Sequence, residues 1–298
     1  MSLKENSLIK KVKRKQLKIT PSGRSTDFIA PSFGHGCLYN CSYCYMKRHR
    51  PTGVQIAENV DDVLDAIVEH YLEHAFTTDN DWYKENKPNQ TDPRYITYDI
   101  GSNEDLALHA KYYDMDKIFA TTYGRSRLKF SFATKYVNYD LPNVTKDIRI
   151  RFSLMPQKYS DVLEPETSSI IERIQAIDKF IDKGYEVHIN FSPVIVTDTW
   201  IEDYRDLFML VDKHVTNKDK VKCEVIFLTH NEKKHTYNLL NNISGEDMLW
   251  TPEIQEEKIS SNGEKNIRYK HVLKREYINE FKALHEILIP WCTIRYIF

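Results

Sequence analysis

A parallel α/β sheet curled into a partial barrel, carrying a hairpin and helix at its C-terminus, is the fold class this sequence predicts. Three observations predict it. Apolar stretches of strand length recur along the chain, most are followed by a segment with apolar residues at helical spacing, and the alternation changes character near residue 230. The 298 residues suffice for one large α/β domain or two small ones, and a 41% hydrophobic fraction is enough for a sizeable core. That composition excludes general disorder. No run approaches the roughly 20 apolar residues of a membrane helix. The N-terminus lacks a charged-then-apolar signal pattern, so the expected setting is a reducing cytoplasm without a membrane partner.

The elements follow in order. Residues 1–26 read as a basic N-terminal arm, because residues 1–24 carry eight Lys or Arg against the single acid Glu5 in a chain of formal net charge −1. Such an arm either tracks phosphates or serves only as a solvated tail. A partial (β/α)6 barrel of TIM type is expected over 27–230. Its strands are "DFIAPSF" (27–33), "RYITYDI" (94–100), "LKFSFATK" (128–135), "DIRIRFSL" (147–154), "YEVHINFSPVIV" (185–196) and "KCEVIFLT" (222–229). Its helices are 59–76, with Asn59 or Asp61 as a cap, then 103–113, 167–184 and 199–215. Thr167 suits the start of the third helix and Gly184 its stop. A polar stretch, 79–93, reads as a loop. An extension over 231–298 is expected to pack on the barrel, with a hairpin around Asn262-Gly263, a helix over 275–288 and a closing strand over 292–298.

"FGHGCLYNCSYCYMKRHRP" (33–51) places Cys37, Cys41 and Cys44 within eight positions directly after the first strand. Chemistry in parallel α/β folds gathers at the carboxyl ends of strands, where the loops converge. Three thiolates on one short loop hold one inorganic centre. Zinc requires a fourth ligand, for which His35 and His49 are the candidates. A 4Fe-4S cluster needs only the three and leaves one iron open. The nine glycines include no Walker or Rossmann fingerprint. His109, His188 and His230 read as packed histidines, Asp99 as a candidate polar contact, and Cys223 as a buried structural thiol.

The C-x3-C-x2-C spacing is the one used by radical S-adenosylmethionine enzymes, in which the cofactor's amino and carboxylate groups chelate the open iron. A low-potential cluster there passes one electron to the sulfonium, and the resulting 5′-deoxyadenosyl radical abstracts hydrogen from a substrate. Beyond the cysteines the chain resembles the spore photoproduct lyase family. "CSYCY", "FSFATKYVNYDLP" (130–142), "RIRFSL" (149–154), "GYEVHINFSPVIVTDTWIEDYRDLF" (184–208), "IFLTHN" (226–231) and the "RYK" hairpin carry the likeness over residues 27–298.

The resemblance implies a barrel of the radical S-adenosylmethionine type and cluster ligation by the three cysteines. It further implies hydrogen-atom return through Tyr43 and Tyr45, and cofactor contacts from Lys135 and Ser153. Ser102, Asn103 and Glu104 stand at a strand end suited to the cofactor's amino group or ribose. Where the family carries a further hydrogen-donating cysteine, this chain has Ile100-Gly101-Ser102, which leaves the donor unassigned.

The implied substrate is a thymine lesion or another nucleobase in DNA. Arg268, Lys270 and Lys274 near the hairpin would contact it, and a flavodoxin- or ferredoxin-like reductant would supply the electron. Two alternatives stand beside this reading. One is the same radical chemistry on a non-lesion nucleotide, peptide or metabolite. The other is a zinc-stabilised nucleic-acid-binding module.

Overall fold

The computed structural model describes residues 8–22, 25–44, 46, 53–75, 94–145, 147–259, 263 and 265–298. In chain order the strands are β1 (Ile9–Val12), β2 (Thr20–Pro21), β3 (Phe28–Ile29), β4 (Gly34–His35), β5 (Val54–Ala57), β6 (Ile96–Asp99) and β7 (Leu128–Thr134). They continue as β8 (Ile148–Ser153), β9 (Glu186–Val194), β10 (Lys222–Phe227), β11 (Thr229–Asn231), β12 (Gln255–Ile259), β13 (Lys265–Tyr269) and β14 (Thr293–Ile297). The α-helices are α1 (Val60–Ala75), α2 (Leu106–His109), α3 (Met115–Ala120), α4 (Gln157–Leu163), α5 (Ile170–Asp182), α6 (Trp200–His214), α7 (Glu232–Leu240), α8 (Glu246–Leu249) and α9 (His271–Leu288).

Among the described residues one sheet of eight strands runs β14-β10-β9-β8-β7-β6-β3-β2. Every neighbouring pair from β3 to β14 is parallel, and only β2 pairs antiparallel, at the edge. The curled sheet forms a half-barrel, as the alternating pattern predicts. Strands β7, β8 and β9 are buried almost throughout because helices cover one face and side chains fill the other. Phe130, Phe132, Ile150, Phe152, Val187, Ile189 and Phe191 join the main apolar core. The alternate positions are polar, and their residues meet in an ionic layer inside the half-barrel.

In that layer Arg149 Nε donates to Glu186 Oε1 at 2.8 Å, and Lys129 pairs with the same carboxylate. Arg151 bridges Asp99 at 2.6 Å and Glu224 at 3.5 Å, while Arg295 also pairs with Glu224. The arginines around Glu224 overcome the cost of burial and hold its carboxyl well below the ordinary range.

Several expectations change. Within the basic arm, β1 pairs in parallel with β5 and β2 joins the main sheet. Arg14 N donates to Asn59 Oδ1 at 2.6 Å, so Asn59 ties the arm to the start of α1. The closing strand lies inside the main sheet beside β10, and α9 packs against α6. It is therefore continuous with the half-barrel rather than an added layer. Helices α3, α4, α7 and α8 lie in stretches to which the sequence pattern assigns no element, because short helices carry too few turns to show a period. Residue 103–113 is broken into α2 and a 3₁₀ turn, Ala110–Tyr112, rather than one helix.

The hairpin forms as β12 and β13, antiparallel, with β11 added on the far side; its Asn262 lies outside the described residues, as does the polar stretch 79–93. Helix α5 starts later than expected, capped by Ser169 in a reciprocal box with Glu172 rather than by Thr167. Gly184 does end it, at φ +92°. A Cβ there would overlap the Val144 carbonyl oxygen. Gly184→Ala is expected to destabilise the fold by more than the roughly 1–2 kcal/mol of a left-handed non-glycine residue. A lowered denaturant midpoint with unchanged slope would register it.

Candidate active site

The loop that follows β3 and β4 brings Cys37, Cys41 and Cys44 to one cavity of about 220 Å³. The opposite wall comes from the carboxyl ends of three strands and the segments after them. Asp99 and Ser102 follow from β6, Thr134 and Lys135 from β7, and Arg151 and Ser153 from β8. Tyr39 and Met46 close the apolar side. The site thus stands where parallel strands deliver their loops.

The cysteine loop is fastened from both flanks. Cys44 N donates to Cys41 O at 3.1 Å, closing a tight turn, and Gly36 N donates to Asn103 O at 3.0 Å. Ser42 N donates to Leu163 O at 2.8 Å, Ser42 Oγ to Ser244 O at 2.9 Å, and Asn238 Nδ2 to Ser42 O at 2.8 Å. The backbone and side chain between the last two cysteines are therefore held by α4, α7 and the turn before α8. Asn238 also donates to Glu246, whose Oε1 lies 2.9 Å from His230 Nε2. This explains the buried His230: it braces the bracket behind the loop.

Tyr43 packs behind the loop, and its hydroxyl donates to Glu164. Arg173 Nη1 donates to Glu164 Oε2 at 2.8 Å, and Lys135 Nζ stands 3.9 Å from Oε1. Burial alone would raise the Glu164 carboxyl, but Arg173 and Lys135 hold it below the ordinary range. Burial and the Glu164 charge push the Tyr43 phenol well up, so it is a neutral donor. Lys135 is raised despite burial, by Glu164 and by Cys41 and Cys44. It remains an ammonium at the cavity wall.

Of the residues expected to serve the site, Cys37, Cys41, Cys44, Ser102, Glu104, Lys135 and Ser153 line the cavity together. Ser153 Oγ accepts from Asn190 Nδ2 at 3.3 Å. Glu104 spends its carboxylate on His109 Nδ1 at 2.7 Å and Tyr113 OH at 3.0 Å, beneath Gly34. Asn103 is not in the lining; its amide donates to Ser32 Oγ and its carbonyl holds Gly36, so it shapes the loop. Tyr45 lies outside the described residues, as does His49.

Arg268, Lys270 and Lys274 stand together where β13 passes into α9, at the end of the sheet that also carries the cavity, since β11 starts two residues after β10 ends. Arg268 pairs with Glu256 at 3.0 Å, Lys270 Nζ donates to Glu253 O at 2.7 Å, and Lys274 lies 5.3 Å from the Phe298 ring centre.

Two residues were missed. Asp105 accepts from Lys135 N at 2.8 Å, Thr134 Oγ1 at 2.7 Å and Leu108 N at 3.2 Å. It caps α2 and fixes the end of β7 with one carboxylate; an Asp just before a helix was the legible signal. Arg151 reaches the cavity from β8, signalled by the alternation R-I-R-F-S that puts Arg149, Arg151 and Ser153 on one face.

The donor set fits an iron–sulfur cluster. Cys37 and Cys41 are buried and all three sulfurs face one cavity. Ligand atoms sharing a single ion crowd together, and among the described residues Cys223, His285 and Cys292 do so, within 4.8 Å, whereas the loop cysteines form no such group. That spread suits a cluster with a separate metal atom for each sulfur. Burial pushes the Cys37 thiol up to about 12, with Asp105 and Cys44 adding to it. Burial raises Cys41 as well, so these two thiols ionise only against a strongly electropositive centre.

A half-barrel with a three-cysteine loop at the carboxyl ends of its strands defines the radical S-adenosylmethionine class. The profile of the family described as "Spore photoproduct lyase" matches residues 4–297, and the chain belongs to that family. The match reaches into the basic arm, beyond the 27–298 read from the sequence. Spore photoproduct lyase of Bacillus subtilis (strain 168) is 27% identical over 205 residues, 67% of this chain and 55% of that protein. The lyase of a Geobacillus species is 29% identical over 217 residues, 69% and 57% of the two chains. The chain thus matches little more than half the length of these relatives. A solved mutant of spore photoproduct lyase, with bound AdoMet and dinucleoside spore photoproduct, superposes with a TM-score of 0.80 at 17% identity. It covers 97% of this chain and 82% of that one, and shows the shared fold.

Proposed function

We propose that this chain is a radical S-adenosylmethionine enzyme that acts on a thymine photolesion in DNA. The observation that carries the reading is the convergence of three cysteines from one loop on a cavity at the carboxyl ends of the strands, with Lys135, Ser102 and Ser153 in its wall. When bound, the cluster and S-adenosylmethionine supply one electron and a 5′-deoxyadenosyl radical. Cys37, Cys41 and Cys44 would hold the cluster. Ser102, Ser153 and the Lys135 ammonium would orient the cofactor's polar groups, while Tyr39 and Met46 exclude water.

Tyr43 keeps its hydroxyl proton and donates a hydrogen bond to Glu164, and it is proposed to take part in hydrogen-atom return. Tyr45 is proposed as its companion. Arg268, Lys270 and Lys274 would meet phosphates, with DNA displacing Glu256, the Glu253 carbonyl and the Phe298 ring as their partners. A flavodoxin- or ferredoxin-like protein is the proposed reductant, in the cytoplasm; among the described residues no helix is long and apolar enough to cross a membrane.

Gly101 and Ser102 line the cavity where the family's donor thiol is expected. This favours a second reading, the same radical chemistry on another nucleotide, peptide or metabolite. Anaerobic protein given 5′-deuterated cofactor and the dinucleoside photoproduct separates the two. The first predicts cofactor cleavage with thymine restored. Cofactor cleavage on other substrates with no thymine formed would replace it by the second, and a reconstituted cluster that never cleaves cofactor would overturn both.

A further inference from the structure

At the end of the half-barrel away from the cysteine loop, a second group of soft ligands is assembled. Cys223 is the second residue of β10, Cys292 directly precedes β14, and His285 lies in the last turn of α9. Their ligand atoms all fall within 4.8 Å of one another. Cys223 Sγ is 3.6 Å from His285 Nε2 and 3.7 Å from Cys292 O. Both cysteines are fully buried and His285 is 6% exposed.

We propose that these three residues bind a zinc ion that staples α9 and β14 to β10. Two arguments support it. Tetrahedral zinc, with a Zn–S bond of about 2.3 Å and a Zn–N bond of about 2.0 Å, separates neighbouring sulfur and nitrogen ligands by about 3.5 Å. The Cys223–His285 pair already has that separation. Two thiolates, a neutral imidazole and Zn²⁺ sum to zero charge, as a buried site requires; a monovalent ion would leave an uncompensated negative charge in the core.

Binding displaces the two thiol protons to solvent, with no change of oxidation state. Among the described residues no fourth histidine, cysteine or carboxylate joins the group, so the remaining position falls to water. The ion would close the sheet where its final strand docks, and it is independent of the catalytic reading.

The test is zinc analysis and zinc-edge X-ray absorption on the full chain, purified anaerobically with its cluster reconstituted. One zinc per chain, ligated by two sulfurs and two nitrogen or oxygen atoms, is the expected result. Chelation should release the zinc and lower the melting temperature while iron is retained, and His285→Gln should weaken binding at least about 100-fold. The absence of zinc after incubation with excess Zn²⁺ would overturn the proposal, as would a shell without two sulfurs. A Cys223–Cys292 disulfide in the anaerobic protein would do the same. The sulfur count separates this site from His230, His235 and Glu246, which offer none, and from the three-sulfur loop. It decides the matter on unmutated protein even if His285→Gln fails to fold.

Discussion

Cys41→Ala protein is expected to retain the fold and to lose S-adenosylmethionine cleavage to the uncatalysed background. Cys41 is buried in a small cluster with Cys37 and Tyr39, packed by Leu108 and Tyr136, and alanine removes one sulfur from that setting without adding a polar group. Two thiolates then remain, and the other cysteines of the chain, Cys223 and Cys292, lie at the opposite end of their strands. Among the described residues no other cysteine stands at the loop to replace it. Iron and sulfide content should fall together with 5′-deoxyadenosine formation, and circular dichroism should change little. Full activity with a normal iron content in this variant would sink the assignment of the cluster. Stoichiometric zinc and no iron in the unmutated loop would instead revive the zinc-module reading.

Arg173→Met should cost about 3–5 kcal/mol of stability, the range for removing one partner of a buried ion pair. Arg173 is fully buried and donates to Glu164, to the carbonyls of Ser153 and Ser168, and to the hydroxyls of Ser160 and Thr167. It therefore joins α4 and α5 to the end of β8, next to the cavity. Without it Glu164 keeps only Lys135 as a nearby cation, and the anchor of Tyr43 is weakened.

The pH dependence carries a definite sign. The folded-state pKa of Glu164 is depressed, so its contribution is complete above the ordinary carboxylate value near 4.5. It is lost as pH falls through the lower folded value. Urea denaturation from neutral pH to about pH 3 should show the wild-type advantage over Arg173→Met shrinking with acidification. An advantage that stays constant across that range would mean that packing, not charge, accounts for the loss.

Much of the architecture was legible because its causes are local. The runs around β6 to β10 alternate or cluster apolar residues over four to nine positions, and α1, α5 and α6 carry long apolar stripes. Short elements escaped. Helix α4 spans seven residues and α8 only four, too few for a period to stand out. The cavity lining was legible at the cysteines, whose spacing lies within one loop, at Lys135 and Ser153 through family likeness, and at Ser102 through its place at a strand end. Asn103 and Glu104 were drawn to the site by their position at a strand end; the Asn103 side chain instead serves Ser32, whereas Glu104 lines the cavity while it bonds His109 and Tyr113. Direction of a side chain depends on neighbours that sequence order does not reveal.

From the sequence alone came the alternation of strand and helix, the three-thiol loop and its place after the first strand, since each depends on residues a few positions apart. Tertiary structure decided the rest. It turned the basic arm into strands, set β14 beside β10, joined Ser25 to Tyr296 across 271 positions, and collected Cys223, His285 and Cys292 at one point. Those arrangements arise from buried polar groups seeking partners wherever the folded chain brings them, and no local pattern encodes a contact made across most of its length.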